Sequence, residues 1–173
     1  MSRSKEYFRA LPALGLALLA FGLNAQDTTF RAKLTGAAHL PEPVVTKAEG
    51  DVVLSLSPDG KKLSYTVTVK DLQNAAAADL HLGPATANGP LVVKLFPRGG
   101  ASAKKGSFSG TLAEGNITAA DLTGPMTGAS LADLVAEIRT GNTYINIHTN
   151  DGMDPPNSGP GDYRLGEIRG QIQ

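Results

Sequence analysis

The chain contains no cysteine. That absence excludes a disulfide framework, a thiolate nucleophile and lipid attachment behind an N-terminal leader. Charge of one sign is also lacking, with 16 Lys and Arg against 16 Asp and Glu. The basic residues form nothing larger than pairs such as Lys61–Lys62 and Lys104–Lys105. Nucleic-acid binding, which works by neutralising phosphates, is therefore not expected. Chemical motifs are equally sparse. There is no Gly-x-Ser-x-Gly elbow, no His-Glu-x-x-His, and no serine set clearly beside a histidine. The stretch GPATANGP, residues 83–90, is not followed by Lys-Ser/Thr and opens no helix, so it is no phosphate cradle. Carboxylates are scattered, without an evident acid/base pair. Enzymatic activity is not the expectation.

A long apolar run is missing too, with one partial exception at the N-terminus. MSRSKEYFR carries Arg3, Lys5 and Arg9, ALPALGLALLAFGL supplies an apolar stretch, and GLNA ends on Ala25. This is the order of a cleavable secretory signal peptide over residues 1–25. The run falls short of the about 20 residues that span a bilayer, so the processed chain is not expected to be an integral membrane protein. A secreted or periplasmic location follows. Removing 25 of the 173 residues leaves 148, with 13 basic and 15 acidic side chains and a net charge of −2. That is one ordinary domain, able to bury about 68–70% of its unfolded surface and to stand on its core alone.

What is present is alternation. TTFRAKLT places Phe30, Ala32 and Leu34 on one side, GDVVLSLS places Val52, Leu54 and Leu56, and LSYTVTV places Leu63, Tyr65, Val67 and Val69. The last two runs flank Ser-Pro-Asp-Gly and predict a hairpin. ADLHL, PLVVKLF, GSFSGTL, NTYINIHT and YRLGEIRGQI are further strand candidates. One segment differs: in SLADLVAEIRTG, Leu131, Leu134, Val135 and Ile138 recur at helical spacing between a Ser130 cap and Gly141. The pattern predicts an all-β domain of about eight strands with one short helix. Its architecture would be an antiparallel β-sandwich, immunoglobulin-like or superoxide dismutase-like, or a partly closed Greek-key barrel.

The same alternation nominates a polar face. Leu80 and Leu82 point one way, so Asp79 and His81 point the other. Ile145 and Ile147 share a face opposite Tyr144, Asn146 and His148, and Ile168 and Ile172 one opposite Glu167, Arg169 and Gln171. If these strands are neighbours, Asp79, His81, Asn146, His148, Glu167 and Arg169 converge on one patch. His81, His148 and Asp79 could then ligate copper or zinc. The plainer alternative is a hydrogen-bonded polar face with Glu167 and Arg169 in ion pairs. His39, in the Pro-flanked HLPEP, reads as a surface loop residue. The loop NDGMDPPNSGPGD offers Asn150, Asp151, Asp154, Asn157 and Asp162 as oxygen donors, but lacks the calcium-loop ladder and reads as a flexible turn-rich connection. Asn116-Ile117-Thr118 is a glycosylation sequon, relevant only in a eukaryotic secretory pathway.

Several of these blocks together resemble the CHRD domain, named from chordin and widespread in exported bacterial proteins. FRAKLTGAAHLPEPVVTKAEG looks like its first strand, turn and Pro-rich link, and ADLHLGPATANGPLVVKLF like its histidine strand, Gly-Pro loop and following strand. GNTYINIHTNDG and GEIRGQI are similar to its last two strands, so the resemblance spans about residues 28–173. It implies a β-rich domain facing the envelope or the extracellular space; in chordin such domains belong to a protein that binds growth factors. The family often carries His-x-His where this chain has Asp79-Leu80-His81, which implies a harder, weaker copper site here. It also often carries a glutamate near His39. The expected function is an exported noncatalytic binding or structural module whose partner is an unidentified protein or envelope component. The alternative is a Cu- or Zn-binding, redox-related protein using His81 and His148, an architectural cousin of Cu/Zn superoxide dismutase.

Overall fold

The computed structural model describes residues 28–100, 102–153 and 159–173. The leader pattern of residues 1–25 lies outside these, as do Asp154 and Asn157 of the turn-rich loop. Strands β1 (Thr29–Thr35), β2 (Glu49–Leu56), β3 (Leu63–Leu82), β4 (Leu91–Phe96) and β5 (Lys104–Ile117) come first. Helix α1 (Leu131–Arg139) follows, then β6 (Thr143–Thr149) and β7 (Ile168–Gln171). The sheet is antiparallel, in the order β2-β1-β7-β6-β3-β4, with β5 also on β3. Because β2 pairs with β3 as well, β1, β2, β3, β6 and β7 form a closed ring. The β1–β7 seam is short, Thr35 opposite Arg169, but Arg31 and Gln173 extend it with two backbone hydrogen bonds of 2.8 Å.

The hairpin forms where the alternation predicts it, with Leu56 opposite Leu63 around the Pro-Asp-Gly turn. Among the described residues the strands number seven rather than about eight. LSYTVTV and ADLHL are two ends of one 20-residue strand, β3, which turns a corner between them. At the corner Asp71 and Asn74 take positive φ, 53° and 49°, and the pairing with β5 is interrupted there. Asp and Asn tolerate that conformation better than other non-glycine residues, so the chain bends without a Gly or Pro. At Ala75 both edges of β3 are occupied, by Lys104 of β5 and Thr149 of β6. The last strand is shorter than its candidate, starting at Ile168 rather than Tyr163.

Inward residues of this ring make one continuous core, including Leu34, Leu54, Leu63, Val67, Leu80, Ile145, Ile147 and Ile168, all fully buried. Tyr65 belongs to it and sends its hydroxyl to the Leu95 carbonyl at 3.0 Å, tying β3 to β4. Tyr65→Phe keeps the ring and removes the hydroxyl that donates to that carbonyl. We expect a loss of about 1 kcal/mol, read as a lower midpoint in urea; an unchanged midpoint would contradict the role of this bond.

Helix α1 is set by its ends. Ser130 Oγ accepts from the Asp133 N–H, and the Asp133 carboxylate accepts the Ser130 N–H at 2.8 Å. At the other end Gly141 takes φ 69°, Asn142 N–H reaches the Glu137 carbonyl, and Gly141 N–H that of Ile138. That pair of bonds is a Schellman motif. Leu131, Leu134, Val135 and Ile138 face the core, and the closing turn delivers the chain directly into β6.

Candidate functional site

The site begins with the register of β3 on β6. Ala77 lies opposite His148, Asp79 opposite Asn146, and His81 opposite Tyr144. Paired residues share a sheet face, so Asp79, His81, Tyr144, Asn146 and His148 all project on one side. Strand β7 adds Arg169 opposite Asn146 and Gln171 opposite Tyr144. The strands carrying the six nominated residues are thus neighbours. The face is not a solvated one, however. Asp79 is 6% exposed, Asn146 7%, Glu167 1% and Arg169 2%, because the segments around Ala38, Pro84–Gly89 and Gly161–Gly166 fold over it.

Three of the six come together as donors. One ligand atom each from Asp79, His81 and His148 lies within 4.8 Å of the others. His148 Nε2 is 3.5 Å from Asp79 Oδ2. Both imidazoles are oriented from behind by backbone carbonyls: His81 Nδ1 is 3.0 Å from Gly89 O, and His148 Nδ1 is 2.8 Å from Arg164 O. A carbonyl only accepts, so each Nδ1 carries a proton, and in a neutral ring the lone pair is then left on Nε2. His81 Nε2 and Asp79 Oδ1 are buried without a hydrogen-bond partner. Burial pushes the Asp79 carboxyl up, against the pull of His148 and Lys94. Burial also pushes His81 down, which favours its neutral, ligand-competent form. A cavity of about 300 Å³ opens onto Asp79 and His148 beside Thr149 and Arg164. The larger cavity, about 720 Å³, lies by Tyr65 and Arg98 and shares no residue with this cluster.

The other three nominated residues brace the cluster. Asn146 Nδ2 donates to the Leu165 carbonyl at 3.0 Å, in the segment that holds His148. Glu167 and Arg169 are not an ion pair, contrary to the polar-face reading. Glu167 accepts from Thr46 Oγ1 (2.6 Å), Thr149 Oγ1 (2.7 Å) and Gly161 N–H (2.8 Å). Arg169 donates to the carbonyls of Pro84, Ala87, Ala38 and Ala85. Its Cζ sits 3.9 Å over the ring of Tyr144, whose other neighbour is the His81 ring, stacked at 4.9 Å and 13°. Sequence reading places Tyr144 on this face but assigns it no part, and nothing in the sequence marks the carbonyls of Gly89 and Arg164.

His39 departs from expectation. It is 8% exposed rather than on the surface, and its Nδ1 donates to the Glu42 carbonyl at 2.9 Å. It stands apart from the three donors. In the turn-rich loop, Asn150 Oδ1 and Asp151 Oδ1 accept the Gly152 and Met153 N–H groups, so these oxygens close local turns. Asp162 is buried.

A closed antiparallel ring that gathers two half-buried histidines and a buried carboxylate on one face defines a small β-barrel domain with a donor cluster. The family model described as the CHRD domain matches residues 30–156, and the chain belongs to that family. No curated protein and no solved structure matches the chain. Among the described residues no helix is long and apolar enough to cross a membrane.

Proposed function

We propose that this CHRD domain is a noncatalytic binding module that acts outside the cytoplasm and holds one copper or zinc ion through His81, His148 and Asp79. A single observation carries the reading. His81 Nε2 and Asp79 Oδ1 are withdrawn from water with no donor to meet them, and His148 Nε2 points into the same space. Such lone pairs cost free energy unless a cation or a donor occupies the gap. The carbonyls behind each Nδ1 are the arrangement that orients metal-ligating imidazoles. Two nitrogens and one oxygen suit zinc or copper, and a cavity opens beside Asp79 and His148. Export is supported by the leader pattern of residues 1–25. The immunoglobulin-like or superoxide dismutase-like comparison belongs to the same proposal and rests on the antiparallel all-β architecture.

The test is metal analysis of purified protein after exposure to Cu or Zn and dialysis. The unaltered protein should retain stoichiometric metal, and His81→Ala/His148→Ala should retain none while still unfolding cooperatively. Equal and negligible metal in both would overturn the reading.

A further inference from the structure

Arg169 is the largest fully buried side chain among the described residues, and no carboxylate there pairs with it. Four backbone carbonyls and the face of Tyr144 surround its guanidinium instead. Burial pushes its pKa down from the ordinary arginine value, but an arginine stays charged in proteins. Neutral dipoles solvate such a charge without cancelling it, so its field persists in the covered face. The direction of that field is set by the stack. Guanidinium, Tyr144 and His81 lie in sequence at spacings of 3.9 and 4.9 Å, and His81 Nε2 opens onto the donor cluster. Any ion held there is within reach of a permanent positive charge that no neighbour neutralises.

We infer that Arg169 determines the ion preference of the cluster, penalising a divalent ion more than a monovalent one and so tilting the site toward Cu(I) and away from Zn(II). The inference rests on the metal-binding reading above. A fixed charge repels a bound ion in proportion to the ion's charge. Over a path of about 10 Å at the effective dielectric of protein sites, one extra unit of ionic charge is worth about tenfold in affinity. Asp79 supplies the opposing charge that lets a cation bind at all. Arg169 then grades cations by valence.

Arg169 also pins the 84–87 segment, so its removal could weaken every ion by loosening Gly89 behind His81. The measurement must therefore be a ratio. Affinities for Cu(I), kept reduced, and for Zn(II) are measured by chelator competition on the unaltered protein, Arg169→Lys and Arg169→Gln. Arg169→Gln should raise the Zn(II)-to-Cu(I) affinity ratio about tenfold. Arg169→Lys, which keeps the charge and loses the planar fork, should weaken both ions and leave the ratio unchanged. Ala87→Asp provides a second route if Arg169→Gln fails to fold. Residue 87 is exposed and its carbonyl already holds the guanidinium, so a carboxylate there partly offsets the charge. The same ratio should rise, by about two- to threefold. A pure bracing role moves both affinities together, and an unchanged ratio in the folded variants overturns the inference while leaving the metal reading intact. An unaltered protein that binds neither ion overturns both.

Discussion

Glu167→Ala is expected to lower the free energy of unfolding by about 3–5 kcal/mol, read from urea or thermal unfolding of the metal-free protein. The residue is 1% exposed and takes three donors: Thr46 from the loop after β1, Thr149 at the end of β6, and Gly161 from the turn-rich loop. Truncation strands the buried Thr149 hydroxyl and Gly161 N–H and takes the acceptor from the half-buried Thr46 hydroxyl, and each unmet buried group costs about 1–3 kcal/mol. The damage also spreads. Thr149 Oγ1 accepts the Tyr163 N–H, and Tyr163 begins the segment whose Arg164 carbonyl orients His148. Metal affinity should therefore fall together with stability, although Glu167 touches neither histidine ring. Glu167→Gln separates the two contributions. It keeps the volume and one acceptor oxygen, so it should lose less than the alanine variant. A loss below about 1 kcal/mol for Glu167→Ala would show that water replaces the carboxylate and that the three segments are not held by it.

Much of this site is legible in the amino-acid sequence. Alternation alone puts Asp79 with His81, Asn146 with His148, and Glu167 with Arg169, each opposite aliphatic partners, and the register of β3, β6 and β7 places those sets side by side. The period of two reports which way a side chain points. It does not report what lies over it. The face away from the aliphatic core reads as solvated, yet here loop backbone covers it, and the loop carbonyls themselves satisfy Arg169. Backbone acceptors leave no trace in residue identity. For the same reason Glu167 and Arg169 invite an ion pair by their charges while each finds neutral partners in the fold.

The corner of β3 is hidden for a related reason. Chain reversals are read from Gly and Pro, and the stretch Asp71–Ala77 contains neither. Asp71 and Asn74 supply the left-handed turns instead, with the Asp71 N–H bonded to Ser109 Oγ and the Asn74 side chain bonded to Gly106 and Gly161. One strand therefore passes for two. Yet the corner is what lets β3 pair with β2 at one end and β6 at the other, and so brings the histidine strand into the ring. His39 shows the opposite error. Its prolines mark a loop correctly, but a loop that lies on the covered face is buried along with it.

Gly89→Ala is the second large effect, and it tests how the cluster is held from behind. A Cβ at this position would lie 1.9 Å from the Leu82 carbonyl oxygen, backbone of β3 that no side-chain rotation can relieve. The loop or the strand end must move. Gly89 is also where the stack is fastened: its N–H donates to Tyr144 Oη at 3.0 Å, and its carbonyl accepts from His81 Nδ1 at 3.0 Å and from the Tyr144 hydroxyl at 3.2 Å. A methyl group that pushes the loop off β3 breaks these three bonds at once. We expect a stability loss of about 2–4 kcal/mol, because strain and unpaired polar groups add. Metal affinity should fall about 10–100-fold, the range for losing the group that orients a ligating imidazole. The affinity measurement belongs on the folded fraction at low temperature, so that unfolding is not counted as weak binding. Full affinity in a folded Gly89→Ala protein would mean that His81 needs no support at Nδ1. The loop would then be a lid over the cluster, with the donors held by β3 and β6 alone.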